Sequence, residues 1–271
     1  MNDLQDEYYE AELHKLLIEP LWAQPLFQAV NGTEFVDGVD SLLIAENRCG
    51  YGTAWLVNQV GEDTRIVALE PSRAMVDQAR QRMEELTDRR IFFNAKGVTG
   101  LPYADQVFDG TMCINGLSTV RLLQLGLLEL TRVTTLGGKV LIAVPLAGAF
   151  DSVYDLFEEA LRERQLGDTV ERMYALRQDM IGYSHLSDTA QECGLYDAEI
   201  REIGWEISFA SGRDLSSSPL LGSLFMSYWL GTLRAEDRGP VLECIENAVD
   251  CYWTGSQFTT TVRAACLTAR R

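Results

Sequence analysis

Residues 41–56 read SLLIAENRCGYGTAWL, and residues 66–72 read IVALEPS. The apolar run 42–45 has the length and continuous hydrophobicity of a strand buried on both faces. Gly50-Tyr51-Gly52 supplies a tight turn, and the chain from Thr53 onward reads as a helix start. A second apolar run, 66–69, ends on Glu70, 18 residues beyond Gly52. Strand, glycine turn, helix and strand in that order form a βαβ unit. In such a unit an acid closing the second strand can accept hydrogen bonds from ribose hydroxyls, beside a turn that admits a ligand. The expected ligand is a nucleoside-bearing cofactor. A dinucleotide fingerprint would carry a third glycine where this chain has Trp55, which argues against packing around a pyrophosphate.

The turn Glu46-Asn47-Arg48-Cys49-Gly50-Tyr51-Gly52 resembles motif I of the class I S-adenosylmethionine-dependent methyltransferases, an acid-x-Gly-x-Gly-x-Gly sequence. Glu46 matches the acid, Gly50 and Gly52 match the last two glycines, and Arg48 replaces the first. Glu70 matches the ribose-binding acid. Gly100-Leu101-Pro102-Tyr103-Ala104-Asp105, then Val107-Phe108-Asp109, resembles the family's passage into its fourth strand. Leu130-Thr131-Arg132-Val133 and Leu136-Gly137-Gly138-Lys139-Val140 resemble the helix, turn and fifth strand that follow.

The resemblance implies an α/β fold, a Rossmann-like doubly wound and mostly parallel seven-stranded sheet. N-terminal helices over 1–40 would form a cap, and 41–271 the methyltransferase-like domain with a helical insertion around 220–251. It also implies S-adenosylmethionine as cofactor, held by Glu46, Arg48, Gly50, Gly52, Glu70, Pro71, Gly97, Val98, Asn115 and Leu117. Two positions depart from the family pattern. A guanidinium at position 48 would lie within about 5 Å of the sulfonium, a repulsion of about 3 kcal/mol at an effective dielectric near 20. Gly97 stands where family members usually carry an acid that contacts adenine.

Composition limits the alternatives. A chain of 271 residues with 46% hydrophobic content can bury a full α/β core. It has no apolar run of about 18 residues, so no membrane span is expected. The N-terminus MNDLQDEYYEAE is acidic rather than basic-then-apolar, which points to a cytoplasmic protein. A formal charge of −17 repels a phosphate backbone, so nucleic acid is an unfavourable acceptor. Six cysteines without C-x-x-C spacing read as reduced core residues.

Outside the βαβ unit, apolar spacing broken by Pro20 and Pro25 predicts two short helices before the first strand. Helices are expected at 53–60, 74–86 and 121–134, and strands at 91–94, 110–115 and 140–144. After Pro145, helices at 151–164, 169–178 and 186–193 precede strands at 199–209 and 259–267. The segment 220–251, rich in large apolar residues, predicts a substrate lid, a face for a homodimer or protein partner, or a helical pair packed on the sheet.

Methyl transfer from a sulfonium needs placement more than side-chain chemistry, so no catalytic constellation is required. His185 is the one candidate base, with a surface histidine as the plain alternative. His14 and His185 lack ligand spacing to an acid or another histidine, so no metal site is expected. Three functions remain: methyl transfer to a small-molecule, carrier-bound or protein acceptor; a catalytically inactive binding or scaffolding partner; or an enzyme for a different, anionic ligand held by Arg48. An open pocket with Arg48 turned away favours the first, and Arg48, Tyr51 or Trp55 filling the cleft favours the second.

Overall fold

The computed structural model describes residues 2–31, 33–84, 90–114, 116–222 and 227–271. Two compact units divide the chain: Met1–Leu146 with Ile181–Ile203 and Ala264–Arg271, and Ala147–Met180 with Gly204–Arg263. In chain order the elements are α1 (Asn2–Leu13), a π-helix (His14–Ala23), α2 (Gln24–Val30), β1 (Ser41–Ala45), α3 (Tyr51–Val57), β2 (Arg65–Leu69), α4 (Arg73–Arg82), β3 (Ile91–Asn94), β4 (Phe108–Ile114), α5 (Val120–Val133) and β5 (Thr134–Pro145). There follow α6 (Asp151–Glu163), α7 (Gly167–Gln178), α8 (Tyr183–Glu192), β6 (Tyr196–Phe209), α9 (Gly212–Ser216), α10 (Pro219–Leu221), α11 (Ser227–Gly231), α12 (Ala235–Tyr252) and β7 (Phe258–Arg270).

The seven strands form one sheet in the order β3-β2-β1-β4-β5-β7-β6. β1, β2, β3, β4 and β5 pair in parallel, while β7 runs antiparallel to β5. Leu42, Leu43, Ile44 and Ala45 are all buried, as a central strand covered on both faces requires. Apolar residues of β1, β4 and β5 and the inner face of α5 form the main core, together with Leu186 and Ala190 of α8. Asp109 explains the Phe-Asp pair of the sequence: its Oδ2 accepts from Ser41 N at 3.0 Å and Ser41 Oγ at 2.8 Å, tying β4 to the start of β1. Arg132 does the same for the 101–105 loop, donating to Leu101 O, Tyr103 O and Asp105 Oδ1 while pairing with Glu129.

The N-terminal helix does not break at Pro20. A ten-residue π-helix carries Pro20 inside it and runs directly into α2, where Pro25 sits in the first turn. The wider turn tolerates the missing N–H that would interrupt an α-helix. β5 starts six residues earlier than the apolar run suggested, because Thr134 and its neighbours pair with β4 across a register shift between Phe108 and Gly110. The expected strand at 110–115 ends at Ile114, and Asn115 lies outside the described residues.

In the second unit, α12 packs against α6 and α9. Trp229 is buried against Tyr154 and Phe157, and its Nε1 donates to the Tyr154 hydroxyl at 2.9 Å. Leu220 and Leu221 are buried as well. Leu220, Leu221 and Trp229 are thus interior, with Trp229 packed on α6; residues 223–226 lie outside the described set. Among the described residues no helix is long and apolar enough to cross a membrane.

Gly50 and Gly38 both have left-handed backbones, φ +86° and +67°, but only Gly50 lies against another element. A Cβ at Gly50 would come within 2.9 Å of the Ala79 Cα and Cβ on α4, whereas one at Gly38 meets nothing within 4 Å. Gly38→Ala should therefore cost about 1–2 kcal/mol of conformational strain. Gly50→Ala should cost about 3 kcal/mol or more, because overpacking adds to the same strain. Urea denaturation of both variants checks this; equal losses would mean that the turn relaxes away from α4.

Candidate functional site

The parallel strands β1 and β2 end side by side, and each hands an acid to the same place. Glu46 follows β1 and Glu70 follows β2. Glu70 is 1% exposed. Its Oε2 accepts from the Arg48 backbone N–H and its Oε1 from Ser72 N–H, both at 3.0 Å. Ser72 in turn caps α4 by accepting from Met75 N–H. The Glu46 Oε1 accepts from Val98 N–H at 3.2 Å.

Between the two acids lies the Arg48 guanidinium, 4.0 Å from Glu46 and 3.8 Å from Glu70. These separations are longer than hydrogen-bonded ion pairs, which close to about 2.7–2.9 Å. The Arg48 side chain remains 33% exposed. Its backbone φ is +50° and that of Glu46 is +54°, so two non-glycine residues hold the left-handed conformation that a glycine-rich turn would adopt freely. Such residues persist only where surrounding contacts over-determine them. Asn47 supplies part of that constraint, its Oδ1 accepting from the Thr53 N–H and hydroxyl at the start of α3.

The structure thus gathers Glu46, Arg48, Glu70, Gly97 and Val98 of the expected residues, with Pro71 beside Gly97. A Cβ on Gly97 would make only ordinary contact with Pro71 Cγ and Glu46 Oε1, at 3.5 and 3.6 Å. Gly50 and Gly52 serve packing: a Cβ on Gly52 would fall 2.4 Å from Ile44 Cδ1 and 2.8 Å from Phe27. Leu117 is fully buried in the core, and its side chain closes on Gly126 of α5. His185 is engaged in capping α8, its Nδ1 accepting from Gly182 N–H at 2.9 Å. Gly116, just after β4, lies against the same acid: a Cβ there would sit 2.0 Å from Glu46 Cγ, so this glycine lets the acid lie flat against the turn after β4.

The N-terminal segment covers this turn. Phe27 meets Tyr51 and Trp55, Cys49 Sγ donates to Ala11 O, and Gln78 of α4 bonds to Glu12. Trp55 donates its Nε1 to Asn31 Oδ1 and is held away from the acids. Of the three side chains considered as fillers, Arg48 alone bridges the acids. Tyr51 lines a small cavity with His14, Glu19, Trp22, Glu46 and Arg48. Burial pushes His14 down to about 3, with the positive charges of Arg48 and Arg82 adding to the effect, so its ring is neutral.

Residues 44–138 match the sequence model of a methyltransferase domain. No curated protein is matched by sequence similarity. The fold is similar to that of the YcgJ protein from Bacillus subtilis, with 12% identity, a TM-score of 0.57, and 92% of this chain and 98% of the other aligned. It is also similar to a geranyl diphosphate methyltransferase in complex with S-adenosylmethionine, with 13% identity, a TM-score of 0.53, and 97% and 90% aligned. A third similar structure is the geranyl diphosphate C-methyltransferase of Streptomyces coelicolor, in complex with magnesium, geranyl diphosphate and S-adenosyl-L-homocysteine. There the identity is 16%, the TM-score 0.51, and the aligned shares 96% and 81%.

Burial raises the Glu46 pKa above its usual 4.5, and the Glu70 charge adds to that rise, while Arg48 and the Val98 N–H oppose it. A carboxyl whose folded pKa lies above its unfolded value contributes stability that is present below the unfolded pKa and lost as pH rises through the folded one. Glu46→Gln keeps an acceptor for Val98 without an ionisable group. Its stability relative to the parent should rise as pH increases from about 4 toward neutrality. Urea midpoints across that range test this, and a pH-independent difference would show that Arg48 fully offsets the burial.

Proposed function

We propose that this chain, whose residues 44–138 match the model of a methyltransferase domain and whose sheet resembles that of the class I S-adenosylmethionine-dependent methyltransferases, binds S-adenosylmethionine and transfers its methyl group to a small-molecule, carrier-bound or protein acceptor. The observation that carries this reading is the buried Glu70 at the end of β2, directly across the strained turn from Glu46. A carboxylate offers about four acceptor positions. Glu70 spends two on backbone N–H groups, which leaves capacity for ribose hydroxyls. Pro71, Gly97 and Val98 form an adjoining wall that suits a flat base, with Gly97 presenting no side chain to obstruct it.

The cofactor supplies an already activated methyl group. The chain's own part is positioning and exclusion of water. Glu70 orients the ribose, Glu46 offers negative charge to the cationic end of the cofactor, and the α1–α2 segment shields the turn from solvent. Arg48 is the obstacle. Its guanidinium must leave the space between the acids, which the 3.8 and 4.0 Å separations and partial exposure permit. The net charge of −17 favours acceptors other than nucleic acid.

One observation favours a second reading, a cleft retired from catalysis in a chain that binds a partner: Arg48 already satisfies both acids. Calorimetric titration with S-adenosylmethionine and S-adenosylhomocysteine separates the two. Under the methyltransferase reading the neutral-sulfur product binds more tightly than the cofactor. Arg48→Gly should then tighten cofactor binding by about ten- to a hundredfold, by removing about 1.4–3 kcal/mol of repulsion and displacement cost. Failure of both ligands to bind either protein at millimolar concentration would sink the methyltransferase reading and leave the second.

A further inference from the structure

The N-terminal π-helix brings together three side chains that have no part in the cofactor reading. In an α-helix, residues five apart lie about 140° apart around the axis, on different faces. A π-helix bonds i to i+5 and stacks those residues over one another. His14 opens the π-helix and Glu19 lies five residues on, so both reach the same side, where Cys49 of the β1–α3 turn approaches. The ligating atoms of all three lie within 4.8 Å of one another, and all three residues are buried.

Two of these atoms have no partner. His14 Nδ1 and Glu19 Oε1 lack any hydrogen bond, although the residues are only 7% and 4% exposed. A buried polar atom left unsatisfied costs about 1–3 kcal/mol. Glu19 is nonetheless held firmly, its other oxygen 2.7 Å from Arg82. That contact is of the kind that orients a ligating carboxylate from its outer side. His14 and Glu19 also line a small cavity with Trp22 and Tyr51, which gives room for a water molecule.

We propose that a ring nitrogen of His14, a carboxylate oxygen of Glu19 and Cys49 Sγ form a binding site for a divalent zinc-like cation, with the fourth position open to this cavity. Nitrogen, sulfur and oxygen ligands in a tetrahedral arrangement match zinc, and bond lengths of about 2.0–2.3 Å set ligand atoms about 3.3–3.6 Å apart. On binding, the Cys49 thiol now donating to Ala11 O releases its proton to solvent as the sulfur–metal bond forms. The neutral His14 ring offers its lone pair, and thiolate plus carboxylate balance the dication. Arg82 keeps its own oxygen of Glu19. The site would pin the N-terminal segment to the turn after β1, and its test reads metal binding directly, apart from any cofactor titration.

The full chain, stripped with a chelator, is titrated with cobalt(II) as a spectroscopic stand-in for zinc. The expected result is one equivalent bound, with a thiolate-to-cobalt charge-transfer band, tetrahedral ligand-field absorption, and loss of both on adding zinc. Cys49→Ala should abolish the band, and the isosteric Glu19→Gln should weaken binding by at least about a hundredfold. Cys251→Ala, at an exposed thiol, should leave the spectrum intact. Far-ultraviolet dichroism in chelator checks that each variant is folded; if Cys49→Ala is not, Glu19→Gln carries the test. The proposal is overturned by absence of the band in the parent protein, by its loss in Cys251→Ala, or by undiminished binding in Glu19→Gln. In those cases His14 and Glu19 are satisfied by water.

Discussion

Two parallel strands that end next to one another, each closing on a glutamate, impose an electrostatic problem that organises this end of the sheet. Glu46 and Glu70 are drawn out of water by the same architecture that aligns β1 with β2. The Glu70 charge adds to the cost that burial places on ionising Glu46. The chain meets that cost with backbone N–H groups and with Arg48. Val98 N–H serves Glu46, while the N–H groups of Arg48 and Ser72 serve Glu70. Each donor belongs to a different loop, so holding the acids also fixes the relative position of the turn after β1, the cap of α4 and the wall after β3. The 101–105 loop beyond that wall is fixed separately by Arg132.

The N-terminal segment is fastened to this assembly by polar contacts as much as by apolar ones. Tyr8 bonds to Asp77, Glu12 to Gln78 and Glu19 to Arg82, all along one face of α4. α4 begins at Ser72, whose N–H bonds to Glu70. A short chain of contacts therefore runs from the acid at the end of β2, through one helix, to the segment that covers the turn. Phe27 completes the cover, filling the space that Gly52 leaves open and packing on Tyr51 and Trp55. Gly52 is required here for packing against its own chain, whatever ligand the turn accepts.

The central strands and the two acids were legible in the sequence because they depend on local pattern. Four consecutive apolar residues flanked by a glycine turn can hardly be anything but a buried strand, and the spacing from Gly52 to Glu70 follows from the length of one helix and one strand. The π-helix was not legible, since Pro20 normally signals a break and nothing local announces the wider turn that tolerates it. The environment of Glu46 was hidden for another reason. Gly116 is 70 residues away from Glu46 in sequence, and its closeness follows from pairing of β1 with β4 rather than from any motif. The surroundings of Leu117 were hidden too, because strand-end position alone does not say which way a side chain points. β4 delivers it into the core, where Gly126 on α5 leaves room for it.

Arg48 ties these observations to function through its backbone. A left-handed arginine costs about 1–2 kcal/mol relative to glycine at the same place, so the turn holds Arg48 in a conformation that glycine adopts most easily. The ion pairs with Glu46 and Glu70 offset that strain only while the guanidinium stays between the acids. Any cationic ligand that enters must either tolerate Arg48 or displace it, and the cost of displacement subtracts from its affinity. A ligand that supplies both acids with other partners removes the reason for the arginine's position. His14 feels the Arg48 charge directly, so a movement of the guanidinium reaches the N-terminal segment as well. Access to the two acids therefore depends on where the side chain at position 48 lies.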